Sequence, residues 1–219
     1  MNKLWLYLHF SDLFLNHQRC SEGTALAILL PSDLRVHACN SKAKKAGIQQ
    51  DMSLPTALSL CPDLRTQLLD SEQEQQFLTQ EALWAYQFSA QICLDPPEGM
   101  WLEIGSMLKL FNGMENLWQQ MQANRDTRIP IQMACSHIPV QARFLARAGL
   151  GKPSSDKFWI RQQLDNLPLS ALPDGLVNPL KLQRIGAKKL GDLLKLPPSG
   201  LATRYGKELF ILVQQLNGN

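Results

Sequence analysis

No stretch of the 219 residues approaches the run of about 18 apolar positions that a membrane helix needs. The apolar N-terminus is interrupted by His9 and Asp12, and no small-x-small cleavage site follows, so a secretory leader is not predicted. Cysteine is scarce and unpaired in pattern. Cys20, Cys39, Cys61, Cys93 and Cys135 are odd in number, widely spaced and never C-x-x-C. That spacing argues against a disulfide framework or a zinc ribbon, and for the reducing cytoplasm. His9, His17, His37 and His137 share no metal-ligand spacing. No Ser/His/Asp order and no glycine-rich phosphate loop stands out. Internal repeats and low-complexity tracts are also missing.

What is present is an ordinary water-soluble balance, 45% apolar and 19% charged, in a chain long enough for one or two domains. The net charge of +3 hides an asymmetry. Residues 1–139 carry 10 Lys/Arg against 14 Asp/Glu, whereas residues 140–219 carry 12 against 5. A basic C-terminal third suits a polyanionic partner, with a solvated helix face as the plainer reading.

Periodicity gives a coarse map. Leu4 to Phe10 is an aromatic-rich apolar run and predicts a buried strand. Ala25–Leu30 and Leu34–Cys39 predict a hairpin around Pro31-Ser32-Asp33. A short helix ends at Gly47, and a second is capped by Ser53 with Pro55 in its first turn. Ser71-Glu72-Gln73-Glu74 reads as a capping box opening a helix to about Ala90, with Phe77, Leu78, Leu83, Trp84 and Phe88 as its core stripe. In Met100–Ile104 apolar Met100, Leu102 and Ile104 alternate with Trp101 and Glu103, a strand pattern that puts Glu98 and Gly99 at the strand's start. A helix over 113–123, a strand over 129–135 and a helix after Ser136 follow. From Leu164 prolines punctuate short helices, and 180–197 reads as helix, tight glycine turn, helix.

These segments resemble the Y-family, or lesion-bypass, DNA polymerases of the UmuC/DinB kind. Pro96-Pro97-Glu98-Gly99-Met100-Trp101-Leu102-Glu103 matches the family's Ser-x-Asp-Glu strand, which sets the catalytic Asp-Glu pair on Glu98 and Gly99. In the first strand, Leu4-Trp5-Leu6-Tyr7-Leu8-His9-Phe10 puts His9 at the remaining catalytic Asp. Asn40-Ser41-Lys42-Ala43-Lys44-Lys45-Ala46-Gly47-Ile48 and the following Ala57-Leu58-Ser59-Leu60-Cys61-Pro62-Asp63-Leu64 match the fingers motif without a gap. There the family's Tyr and Arg, which contact the triphosphate, become Ser41 and Lys44, and a Gly becomes Asp51. Arg147 falls on a lysine that reaches the triphosphate. Ile185-Gly186-Ala187-Lys188-Lys189-Leu190-Gly191-Asp192 resembles the helix-hairpin-helix of the thumb. The resemblance implies an α+β fold: a palm with a ferredoxin-like antiparallel sheet (1–24 and 71–163), small fingers (25–70) and a helical thumb (164–219). It implies primer-template DNA as a partner, met through Arg184, Gly186, Lys188, Lys189 and Gly191 by backbone amides and basic side chains that position phosphates without reading sequence.

The family's chemistry uses two Mg²⁺ ions about 4 Å apart, held by hard oxygen ligands. His9, Glu98 and Gly99 offer one carboxylate where the family has three, so no metal and no cofactor is predicted. The His in the first strand and the 185–197 segment resemble most the ImuB branch, catalytically silent bacterial homologues. Their implied partners are a RecA-like accessory protein and an error-prone replicative-type polymerase, gathered at the sliding clamp on damaged DNA. The branch's little finger and C-terminal tail have no counterpart in these 219 residues, so clamp contact is not carried over. Three function classes stay open at this point: a non-enzymatic repair scaffold; a weak nucleotidyl transferase using Glu98, Glu103 or Asp12 in a shifted geometry; and a DNA-binding module working only through its helical hairpin.

Overall fold

The computed structural model describes residues 3–18, 23–173 and 175–218, and Cys20 lies outside them. In chain order the elements are β1 (Trp5–His9), α1 (Leu13–His17), β2 (Leu26–Leu29), β3 (Val36–Cys39), α2 (Ser41–Lys45), α3 (Leu54–Leu60), β4 (Arg65–Leu68), α4 (Ser71–Ala85), β5 (Ile92–Asp95) and β6 (Gly99–Glu103). They continue as α5 (Met114–Ala123), β7 (Gln132–Ser136), α6 (Pro139–Arg147), α7 (Lys157–Asn166), α8 (Pro179–Gln183), α9 (Leu190–Leu194), α10 (Pro198–Tyr205) and α11 (Lys207–Asn217).

The larger sheet is four-stranded, ordered β5-β6-β1-β7 and antiparallel throughout. Alternation along β1 gives the sheet two different faces. Leu6 and Leu8, with Met100, Leu102, Met133 and Cys135, bury one face against Leu78, Phe88, Leu117 and Trp118. Tyr7 and Ala134 face the other way, onto Ala142 and Leu145 of α6. That second core runs on without a break through Leu164, Leu190, Leu193, Leu209 and Val213, so the C-terminal helices share it with the sheet. A buried polar bridge ties the same layers: Ser136 donates to Gln141 Oε1 at 2.6 Å, and Gln141 donates to the Leu216 carbonyl at 2.8 Å. The smaller sheet, β3-β2-β4, holds the predicted hairpin and pairs β2 with β4 in parallel.

Several expectations are corrected. The cap of α4 is Asp70 rather than Ser71; its carboxylate accepts from the amides of Glu72 and Gln73 at 3.0 and 3.1 Å. The helix stops at Ala85, and a tight turn delivers Phe88 to the core from outside it. Leu83, expected in the core stripe, is 73% exposed. The third strand begins at Val36, because Leu34 turns in the left-handed region at φ 55°. The 129–135 strand is shifted to Gln132–Ser136, since Ile129 is buried ahead of the ladder. α1, β4 and β5 were not predicted, and α7 runs through the expected boundary at residue 164.

Candidate functional site

Antiparallel pairing of β1 with β6 sets His9 directly opposite Gly99. The Phe10 amide then donates to the Glu98 carbonyl at 2.8 Å, which extends the ladder by one bond. Asp95 and Glu98 bracket the β5–β6 turn, and the Glu98 amide donates to the Asp95 carbonyl at 3.2 Å. His9, Glu98 and Gly99, chosen from sequence, therefore come together at one end of the larger sheet.

A side chain does not fit at position 99. A Cβ built there would collide with the Tyr7 hydroxyl and with the Leu8 carbonyl. Tyr7 and Gly99 lie on the same face of the sheet, and the Tyr7 ring fills the space beside the glycine while packing edge-on to Trp101. The Tyr7 hydroxyl donates to Asp95 Oδ2 at 2.6 Å. Burial, then the bond to Asp95, holds this phenol protonated well above the ordinary tyrosine range.

Glu98 and Asp95 are both engaged by α6. Arg143 and Arg147 lie one turn apart on the same helix face. Arg143 Nε sits 3.0 Å from Asp95 Oδ2, Arg143 Nη2 donates to Glu98 Oε1 at 3.4 Å, and Arg147 Nη1 lies 3.1 Å from the same Oε1. His9 Nδ1 faces Glu98 Oε2 at 3.9 Å. Burial lowers the His9 pKa, aided by Arg147 and Arg143 and opposed by Glu98, so the imidazole is held neutral. These residues do not fit a pair of Mg²⁺ ions. One ligand position is an imidazole, one has no side chain, and the third is already paired with two guanidinium groups. Among the described residues, no group of three or more His, Cys, Asp and Glu side chains is arranged to hold a metal ion.

The other carboxylates weighed from sequence lie elsewhere. Glu103 pairs across from Trp5 at the far end of β6, roughly 16 Å from Glu98 at about 3.3 Å per residue. Burial works to raise its pKa, but bonds from the Ser106 hydroxyl and the Ser106, Leu4 and Gly105 amides outweigh it and leave it lowered. Asp12 starts α1 in the left-handed region at φ 55°. It lines a cleft of ≈ 360 Å³ with Ser11, Asn16, Asn40, Ser41 and Lys44. Asn40 builds that wall: it accepts from the Ala43 and Leu26 amides and donates to the Thr24 carbonyl, which fixes α2 to β2. Ser41 and Lys44 thus share one cavity. Arg147, the third expected phosphate contact, does not line it. Arg147 lines a different cleft of ≈ 460 Å³, with Phe144, Asn166, Leu167 and Ser170.

In the helical hairpin Arg184, Gly186, Lys188 and Lys189 are exposed, and Gly186 turns at φ 89°. The amides expected to face phosphate are occupied. Asp192 Oδ2 accepts from the Lys188 and Lys189 amides at 2.9 and 3.0 Å, and those two bonds lower its pKa. The Ala187 and Leu190 amides donate to the Leu182 and Leu167 carbonyls. Gly191 is buried, with no room for a Cβ against Asp165 of α7. A glycine is therefore required here by helix packing alone. Around Gly186 the hairpin presents basic side chains, while the Lys188 and Lys189 amides are turned to Asp192. Sequence reasoning passed over Tyr7, Asp95 and Arg143 as site residues; the i,i+4 spacing of Arg143 and Arg147 was the one local signal.

The pattern of the impB/mucB/samB family matches residues 17–147, well over half of the chain. The chain belongs to that family. It is 27% identical over 164 residues to Protein ImuB of Caulobacter vibrioides, covering 74% of this chain and 36% of that protein. It is also 27% identical over 193 residues to DNA polymerase IV of a Shewanella species, covering 84% of this chain and 52% of that one. The chain therefore spans from about a third to half the length of these relatives. Its fold is that of Y-family polymerases. DinB from Sulfolobus solfataricus superposes with a TM-score of 0.72 at 14% identity, over 98% of this chain and 67% of that one. An insertion ternary complex of Dbh DNA polymerase gives 0.75 at 17%, with the same coverage. No helix among the described residues is long and apolar enough to cross a membrane.

Proposed function

We propose that this chain is a non-catalytic Y-family polymerase-like protein that binds DNA and serves as an adaptor in a translesion-synthesis complex of the bacterial cytoplasm. One observation carries the reading. The position of the family's second carboxylate is a glycine, and the Tyr7 ring and the Leu8 carbonyl stand where its side chain would be. The first-strand acid is replaced by a buried neutral imidazole, and the surviving Glu98 is paired with Arg143 and Arg147. Phosphoryl transfer through paired ions has no ligand set here. DNA is the partner supported by the basic C-terminal third and by the likeness to a polymerase solved as an insertion ternary complex. The likeness to Protein ImuB supports the further partners, a RecA-like accessory protein and an error-prone replicative-type polymerase. No sliding-clamp contact is assigned to these residues.

The similarity to DNA polymerase IV favours a second reading, a residual metal-dependent polymerase. Primer extension on damaged and undamaged templates with Mg²⁺ or Mn²⁺ separates the two. The proposal expects no incorporation above a no-protein control. Incorporation that a Glu98→Ala substitution removes would establish the polymerase instead.

A further inference from the structure

Two acids and two guanidinium groups alternate at the tip of the β5–β6 hairpin. Asp95 Oδ2 accepts from the Tyr7 hydroxyl at 2.6 Å and lies 3.0 Å from Arg143 Nε as an ion pair. Glu98 Oε1 accepts from Arg143 Nη2 at 3.4 Å and lies 3.1 Å from Arg147 Nη1 as an ion pair. The carboxylates are only 17% and 26% exposed, and the Arg143 side chain between them is 30% exposed. Acids so placed attract cations, and a partly buried pair is screened less by water and salt than a surface pair. Divalent ions would compete for these same oxygens. The guanidinium is permanently charged and planar, and α6, whose Ala142, Leu145 and Ala146 are buried in the core, carries it.

We propose that Arg143 and Arg147 are built-in counter-cations: they take, for Asp95 and Glu98, the place of a divalent ion and hold this end of the sheet to α6 without metal. The inference rests on the reading of the centre as non-catalytic and gives that reading a physical agent. The centre is then occupied as well as short of acids. Removing the guanidinium charge uncovers Asp95 and Glu98 as a carboxylate pair facing solvent beside α6, and that pair takes up a hard divalent cation.

The test is Mn²⁺ binding to the whole 219-residue chain, followed by the electron paramagnetic resonance signal of free Mn²⁺. The Arg143→Gln/Arg147→Gln variant is expected to bind one ion roughly tenfold or more tighter than the unmodified chain. Adding Glu98→Gln to that variant removes the gain, and Arg143→Lys/Arg147→Lys, which keeps the charge, shows none. Where the double variant does not fold, Arg143→Gln alone carries the test, since Arg143 meets both acids. As a second readout, Mn²⁺ raises the melting temperature of the Gln variant and leaves that of the unmodified chain unchanged. Equal Mn²⁺ affinity in the two chains, with no primer extension, overturns the counter-cation assignment and leaves the non-catalytic reading standing. Primer extension by the unmodified chain overturns that reading itself.

Discussion

Gly99 is glycine because the backbone around it leaves no alternative. A methyl group there meets both a phenol and a main-chain carbonyl. The phenol could rotate only by giving up its bond to Asp95, and the Leu8 carbonyl sits within the β1 ladder. Gly99→Ala is therefore expected to destabilise the fold by about 1–3 kcal/mol, the usual cost of overpacking. Urea denaturation with far-ultraviolet circular dichroism reads it, and a midpoint unchanged from the parent would show that the strands have room to part. His9, Glu98 and Gly99 were singled out from two separate motifs, and it is the β1–β6 pairing that sets His9 opposite Gly99. Tyr7 and Asp95 were not, since their hydrogen bond joins residues 88 apart and depends on how β5, β6 and β1 align. The same holds for Arg143, whose partner Glu98 lies 45 residues away.

At the scale of elements, alternation and capping read well where a segment had an apolar face of its own. β1, β2 and α3 were visible for that reason, and Ser53 caps α3 as its sequence predicts, accepting from the Thr56 amide. β4 was not visible, because Arg65-Thr66-Gln67-Leu68 is a polar edge strand whose place in the sheet comes from its parallel pairing with β2. The helical hairpin was visible as two short helices around a glycine, but the packing that Gly191 makes was not. Its backbone packs on α7, where a Cβ would lie 2.8 Å from Asp165 Cβ and 2.9 Å from its Cα. α9 has only five residues, so it draws its position from that contact and from the apolar Leu190, Leu193 and Leu194 rather than from helix propensity. Gly191→Ala should push α9 off α7 and cost about 1–3 kcal/mol. Thermal unfolding measures it. A variant as stable as the parent, with weakened DNA binding, would return Gly191 to the phosphate-contact role.

At the scale of the whole molecule, the sheet and the C-terminal helices are joined through one apolar core, while charge is divided along the chain. The basic side chains of the hairpin, Arg184, Lys188 and Lys189, are exposed, and the amides beside the two lysines are already bonded to Asp192. Any hold on DNA from these two lysines then comes from side-chain charge. Lys189 Nζ already donates to Asn166 Oδ1 at 2.9 Å, which orients it without neutralising it. Contacts of this kind release counterions from the duplex, so affinity for primer-template falls linearly on a log–log plot against salt, with a slope near 0.9 per phosphate neutralised. The Lys188→Ala/Lys189→Ala variant should fold as the parent does, bind more weakly at low salt, and lose roughly two units of that slope. Fluorescence anisotropy over a salt series measures both quantities on the same samples. An unchanged slope and affinity would move the DNA contact away from the hairpin, to the sheet-side cleft lined by Ser41 and Lys44 or to the one lined by Arg147.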